Sequence, residues 1–210
     1  MNIIGFSSGG TGHVTNTDRM VKTILDKSGY SSEFVKLTDL KFTGCKGCVQ
    51  LCAKPQVCLL EDEARPYYRK IKEADAVVIG TPVYSGSANA LALSFIERFF
   101  GYRHVTLALK DKPFVLVVCG FNRIDAAVEQ LERKIKASGA ELVDTVTFIS
   151  EAPPCLSCGR HQDCSIGGLF RVMGEESHSL TITPDLFLRW EDNPETAKAV
   201  EGAAARLRQL

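Results

Sequence analysis

Short runs of consecutive apolar residues alternate along this chain with longer stretches in which apolar positions recur every third or fourth residue. Asn2-Ile3-Ile4-Gly5-Phe6 reads as a strand, and the residues from Thr17 on predict a helix with Met20, Val21, Ile24 and Leu25 on one face, stopped by Gly29. Ser32–Leu37 has the length and alternation of a second strand, with Phe34, Val35 and Leu37 apolar. Ala76–Gly80 and Phe114–Cys119 are near-continuous apolar runs bounded by turn residues, the pattern of strands buried on both faces of a parallel sheet. Glu141–Ile149 supplies a fifth strand. Helices are predicted over Glu61–Glu73, with Tyr67, Tyr68 and Ile71 inward, over Ala90–Phe100, and over Ile124–Ser138, closed by Gly139. A last helix starts at Asp192-Asn193-Pro194-Glu195, with a capping side chain and proline in its first turn, and reaches Leu210. Five strands alternating with helices predict an α/β fold: an open five-stranded parallel sheet with helices on both faces. Two stretches stand outside the alternation, a cysteine-rich insertion at 45–58 and an irregular, cysteine-rich segment at 150–192. The second is long for a plain connection, which marks it as functional.

In open parallel sheets, ligands bind beyond the carboxyl ends of the strands. Three loops converge there: Ser7–Thr17, Thr81–Ser87 and Gly120–Asn122. The first, Ser-Ser-Gly-Gly-Thr-Gly-His-Val-Thr-Asn-Thr, joins a strand to a helix N-terminus, where free N–H groups and the helix dipole favour an anion. Hydroxyls of Ser7, Ser8, Thr11, Thr15 and Thr17, the Asn16 amide and the His13 ring can donate to phosphate oxygens. The loop lacks the Gly-Lys-Ser/Thr ending of a P-loop and the ordered Gly-x-Gly-x-x-Gly of a dinucleotide fold. Rich in hydroxyls and without a cation, it suits one terminal phosphate, as in FMN; taken alone it is equally a polar capping loop. In the second loop, Pro82 sets the exit from the strand and Tyr84 is available to stack on a flat ring. Ser85, Gly86 and Ser87 offer hydroxyls and backbone N–H groups to it. Alone, this loop reads as a strand–helix turn with an exposed tyrosine. Gly120 and Asn122 bring the third loop to the same edge.

The chain has 210 residues, one domain's worth, with 25 basic and 25 acidic side chains and no long charged block. That balance argues against nucleic acid or an anionic membrane as the main partner. No basic region precedes an apolar core at the N-terminus, and no apolar run has the length of a membrane span. The expected location is the cytoplasm.

Eight cysteines change this picture. In a chain with no secretory signal they read as metal ligands or redox groups rather than disulfides. Cys119, at the end of an apolar strand, reads as a small buried hydrophobe. Cys45, Cys48 and Cys52 fall at i, i+3 and i+7, on one face if the segment is helical, and Cys58 returns after Pro55 to make a fourth. Such a set can hold a 4Fe–4S cluster or a tetrahedral zinc, or remain as free or redox-switching thiols. Cys155, Cys158 and Cys164, with His161 between the second and third, form a second set that fits a Cys₃His zinc site, an unusual cluster, redox-active thiols or a disulfide. His104 and His178 read as surface residues.

Asn16-Thr17 opening the first helix, the cysteine segment followed by Asp62-Glu63, and Thr-Pro-Val-Tyr-Ser-Gly-Ser at 81–87 followed by Phe95-Ile96-Glu97-Arg98 occur in a telling order. Together they resemble the NADPH-dependent FMN reductase branch of flavodoxin-like proteins, and within it the iron–sulfur flavoproteins. The resemblance covers roughly residues 1 to 150 and the final helix. It implies a flavodoxin-like sheet binding FMN, with Ser8, Asn16 and Thr17 at the phosphate and Pro82, Val83, Tyr84, Ser85, Gly86 and Ser87 along the isoalloxazine. It also implies a four-cysteine cluster motif at Cys45–Cys58, ferredoxin or NAD(P)H as electron partner, and a homodimer or homotetramer. The expected function is FMN-dependent electron transfer coupled to a 4Fe–4S cluster. A cluster-free NAD(P)H-dependent FMN or quinone reductase, and a flavin-free zinc or thiol sensor on the same scaffold, are the alternatives.

Overall fold

A computed structural model describes residues 1–210. The strands are β1 (Asn2–Ser7), β2 (Ser31–Lys36), β3 (Ala76–Tyr84), β4 (Ser87–Ala88), β5 (Pro113–Gly120) and β6 (Glu141–Ile149). The helices are α1 (Asn16–Ser28), α2 (Val49–Ala53), α3 (Arg65–Glu73), α4 (Ala90–Glu97), α5 (Asp125–Ala137), α6 (Cys155–Cys158), α7 (Gly168–Met173) and α8 (Pro194–Arg208). The main sheet runs β2-β1-β3-β5-β6, all neighbours parallel, and β4 folds back antiparallel on the end of β3.

Alternation along the strands divides the core in two. On one face, Ile3, Val78, Val115 and Val117 meet Met20, Val21, Ile24 and Leu25 of α1 and Val200, Ala203 and Leu207 of α8. On the other, Ile4, Phe6, Val77 and Leu116 meet Tyr68 and Ile71 of α3, Phe95 of α4, and Leu131 and Ile135 of α5. Because β3 and β5 lie between both layers, their sequences are apolar at successive positions rather than alternate ones. Helix α1 lies close on the sheet: a Cβ at Gly80 would stand 2.5 Å from Val21 Cγ2 and 2.8 Å from Thr17 Cγ2. That approach brings the start of α1 against the exit of β3.

Three local expectations differ from the structure. Strand β3 runs on through Pro82 to Tyr84 and turns back at Ser85-Gly86, where φ is 52° and 77°, so the turn is a β-hairpin and not a strand–helix connection. Two successive positive φ values match the twist of paired strands. Helix α3 starts at Arg65, not Glu61, with Pro66 in its first turn. Within the cysteine insertion only Val49–Ala53 is helical, so Cys45 and Cys48 reach their places from irregular chain and not from one helix face. Residues 150–192 contain α6, α7 and single 3₁₀ turns but no strand. No helix is long and apolar enough to cross a membrane.

Candidate functional site

The carboxyl ends of the central strands open into a cavity of about 660 Å³, a volume typical of small-molecule and cofactor sites. It lies at the switch point of the sheet, where the chain, having run from β1 to β2, returns to place β3 on the opposite side of β1. One wall is the start of α1, with His13, Thr15, Asn16 and Thr17. A second is the end of β3, with Pro82, Val83 and Tyr84, and a third is Cys119, Gly120 and Phe121. The remaining walls come from the irregular segment: Ala152–Pro154 with Ser157, and Pro184 with Phe187–Arg189. Both ends of the irregular segment 150–192 are therefore cavity wall.

The loop before α1 is held in place by a buried carboxylate. Ser7 Oγ donates to Asp18 at 2.6 Å, Thr15 N at 2.8 Å and Lys36 Nζ at 2.9 Å, while Thr15 Oγ1 caps the helix by accepting from Asp18 N at 3.2 Å. Lys36 also reaches the His13 carbonyl at 2.8 Å. Burial pushes the Asp18 carboxyl up, but these donors outweigh it and hold it below its ordinary 3.8. A carboxylate that ionises more readily in the folded chain stabilises the fold above the ordinary value and loses that contribution as pH falls through its lower folded-state value. Asp18→Asn is therefore expected to cost about 1–3 kcal/mol at neutral pH. Urea unfolding of the two proteins should converge as the pH is lowered from neutral to well below the ordinary 3.8; an equal gap at both pH values would remove Asp18 from this role.

Several predicted residues line the cavity and several do not. His13, Thr15, Asn16, Thr17, Pro82, Val83, Tyr84 and Gly120 are in its walls. Ser8 lies beneath them, fully buried, its N and Oγ donating to the Gly80 carbonyl at 2.9 and 3.3 Å. Asn16 is engaged with the far wall: Nδ2 donates to Leu188 O at 3.0 Å and Oδ1 accepts from Trp190 N at 3.3 Å. Thr11 and Asn122 are exposed outside the cavity, Ser85 and Gly86 form the exposed hairpin tip, and Ser87 Oγ donates to Gln130 at 3.0 Å. Sequence reasoning missed Arg19 and Arg189, which bring cations to a site whose own loop has none. Arg19 Nε lies 2.6 Å from Glu191, so α1 is clamped to the irregular segment. Burial pushes the Cys119 thiol up to about 12, which keeps it a neutral wall residue.

The first cysteine set packs against the end of α4 and the 3₁₀ turn Arg98–Tyr102, and none of its sulfurs lines the cavity. Cys52 and Cys58 are buried; Cys45 and Cys48 are partly so. Cys58 Sγ accepts from Arg98 Nε at 3.2 Å, and Cys52 Sγ is 3.3 Å from Nε2 of His104. Burial first, and then the charges of Cys48, Cys58 and Cys45, push the Cys52 thiol up. No three His, Cys, Asp or Glu side chains stand close enough together to hold a single metal ion. Gly101 lets this turn pack on the insertion, since a Cβ there would meet Cys58 N at 3.0 Å. In the second set, Cys155 and Cys158 are the ends of α6, and Cys164 follows the 3₁₀ turn at His161–Asp163.

The family model for NADPH-dependent FMN reductases matches residues 1–153. The chain belongs to the NADPH-dependent FMN reductase family. Within this family it is 31% identical over 116 residues to an iron-sulfur flavoprotein of Archaeoglobus fulgidus, a match covering 55% of this chain and 52% of that one. It is 30% identical over 126 residues to an iron-sulfur flavoprotein of Methanocaldococcus jannaschii, covering 59% of this chain and 64% of that one. The chain thus spans less than two thirds of the length of either relative. Among solved structures, an oxidoreductase from Corynebacterium diphtheriae superposes with a TM-score of 0.58 over 100% of this chain and 96% of its own, at 14% identity. A flavodoxin from Streptococcus pneumoniae gives 0.51 over 99% and 97%, at 15% identity. The fold of this FMN reductase family member is flavodoxin-like. The family match ends at residue 153, where the irregular cavity wall begins.

Proposed function

We propose that this family member is an FMN-dependent oxidoreductase in which Cys45, Cys48, Cys52 and Cys58 hold a 4Fe–4S cluster. The observation that carries the flavin is the cavity at the switch point, where the capped start of α1, the end of β3 with exposed Tyr84 and the end of β5 meet. Tyr84, Gly120 and Phe121 would be available to a flat ring, and Arg19 and Arg189, which share the single carboxylate of Glu191, leave net positive charge for a phosphate. FMN supplies two-electron and hydride chemistry, and a cluster supplies one-electron transfer, so a chain holding both can join NAD(P)H to a one-electron carrier such as ferredoxin.

The thiol set fits an anionic cluster on three counts. Its four cysteines are all free thiols carried by one short insertion, the donor type that such clusters take. Arg98 already donates to one of them, and its Nη2 is buried with no partner, a donor left over for further sulfur. Each thiolate of a cluster binds a separate iron, which suits sulfurs that do not meet at one point. That same spread favours a second reading, a cluster-free NAD(P)H-dependent FMN or quinone reductase with idle thiols. Since none of the four cysteines lines the cavity, the proposal includes a homo-oligomer in which the cluster faces a partner's flavin.

Anaerobic purification tests these readings. A brown protein with about four iron and four acid-labile sulfide per chain, together with FMN, supports the proposal, and a yellow protein with FMN alone supports the second reading. A colourless protein that takes up no FMN would overturn both. Within the cavity, Tyr84→Ala is expected to weaken FMN binding roughly fivefold, the effect of losing about 1 kcal/mol of aromatic stacking. Quenching of flavin fluorescence on titration measures it, and unchanged affinity would place the ring away from Tyr84.

A further inference from the structure

We propose that Cys155, Cys158, Cys164 and Nδ1 of His161 bind a structural zinc ion that fixes the wall of the cavity. Cys155-Leu156-Ser157-Cys158 forms one helical turn, ended by Gly159 at φ 69° with its N–H donating to Cys155 O at 2.9 Å. Such a turn puts the two cysteines on one face and lets the chain leave at once. Farther on, the chain returns to the same sulfur: Leu169 N lies 3.4 Å from Cys155 Sγ. A Cβ at Gly167 would stand 2.8 Å from Cys155 Sγ and 3.2 Å from Cys164 Sγ, so the two sulfurs converge on the space that this glycine leaves open. Both are free thiols.

The fourth donor is the more telling one. His161 is only 6% exposed, and its Nε2 is 2.8 Å from the Leu180 carbonyl. A carbonyl only accepts, so Nε2 carries the proton and Nδ1 holds a lone pair. That lone pair is buried and has no partner. An imidazole fixed through one nitrogen by a backbone carbonyl, with the other nitrogen bare, is arranged as metal-ligating histidines are.

Three thiolates and one neutral imidazole are a tetrahedral zinc set, with the short Cys-x-x-Cys spacing usual for it, whereas iron–sulfur clusters generally take four thiolates. The donors do not yet meet at one point, and Cys158 is exposed, so the ion itself draws the shell together. Residues 150–192 have no strand and only short helical turns, and a metal supplies the order that a packed core does not. The site joins two lengths of cavity wall. Helix α6 carries Ser157, and His161 is bonded to Leu180 on the approach to Pro184 and Phe187.

Metal analysis of the purified full chain tests the site independently of the flavin and of the first cysteine set. About one zinc per chain is expected, retained in Cys48→Ser and in His161→Cys and lost from Cys158→Ser and His161→Ala. FMN should stay bound in Cys158→Ser but with a faster off-rate, since the wall is loosened and the ring contacts are kept. Should those variants not fold, cobalt(II) titration of the chelator-treated parent is expected to give a thiolate-to-metal charge-transfer band with tetrahedral d–d bands. A parent free of zinc that gives no such band overturns the proposal. So does iron that is lost from Cys158→Ser, or a native mass that reveals a disulfide between Cys155 and Cys164.

Discussion

Replacing Arg98 with alanine is expected to destabilise the fold by about 3–5 kcal/mol, the cost of breaking a buried ion pair from one side. Arg98 is 1% exposed and is the largest fully buried side chain in the protein. Its Nε donates to Cys58 Sγ at 3.2 Å, and its Nη1 donates to Thr43 O at 3.2 Å and to Asp62 at 2.7 Å. Its guanidinium lies 4.4 Å over the ring of Tyr68, whose hydroxyl is itself spent on the Phe95 carbonyl at 3.0 Å. One cation thus ties the strand-like chain before the cysteines, the last cysteine, the acidic turn before α3 and the end of α4. Removal leaves the Thr43 carbonyl without its donor and Asp62 with only the backbone N–H groups of Thr43 at 3.4 Å and Ala64 at 3.2 Å, and it opens a void in the core. Arg98→Met separates charge from volume: it fills the space, so most of the packing is kept, while Cys58 loses its N–H donor. Urea unfolding of both variants is the measurement. A loss under about 1 kcal/mol in the alanine variant would mean that water enters and solvates the pair, and that Arg98 does not organise the insertion.

The parts of this fold that were legible in the sequence are those where burial acts on consecutive residues. Ala76–Ile79 and Phe114–Cys119 lie between two helical layers, and that alone makes them unbroken apolar runs. Gly29 in left-handed conformation and Asn193 as a helix cap were legible because each does a job few residue types can do. The hairpin at Ser85-Gly86 was not, since serine carries a weaker left-handed signal than the asparagine or aspartate usual at that position. In the site, the residues found were those adjoining strand ends in the chain. Arg19 was hidden as an ordinary polar position of an amphipathic helix, and only Glu191, 172 residues away, gives it direction. His104 reaches Cys52 across 52 residues, a pairing no local pattern encodes. Phe187–Arg189 belong to a segment with neither helical nor strand period, so nothing in their spacing points to a cavity wall.

Cys48→Ser is expected to leave the protein with essentially no iron or acid-labile sulfide while it keeps its FMN. The residue is the N-cap of α2, partly exposed, and its side chain makes no capping bond, so the substitution removes a sulfur without removing a structural contact. A serine hydroxyl is a hard donor that does not ionise near neutral pH, and soft iron–sulfur sites select thiolate. The remaining three sulfurs stand on separate turns of the insertion, held by Arg98 at Cys58 and by His104 near Cys52, with nothing to supply a fourth at the same corner. The flavin is unaffected because no residue of 45–58 lines the cavity. The visible spectrum reads the outcome directly: the broad brown absorption disappears and the two flavin bands remain, sharpened. Serine in place of Cys119, which is buried beside the cavity and belongs to neither cysteine set, is the control and should keep full iron. Full iron and sulfide in Cys48→Ser would sink the assignment of Cys45, Cys48, Cys52 and Cys58 as the ligand set. The iron and sulfide would then be held by other residues of the chain, and the four cysteines of the insertion would be idle thiols.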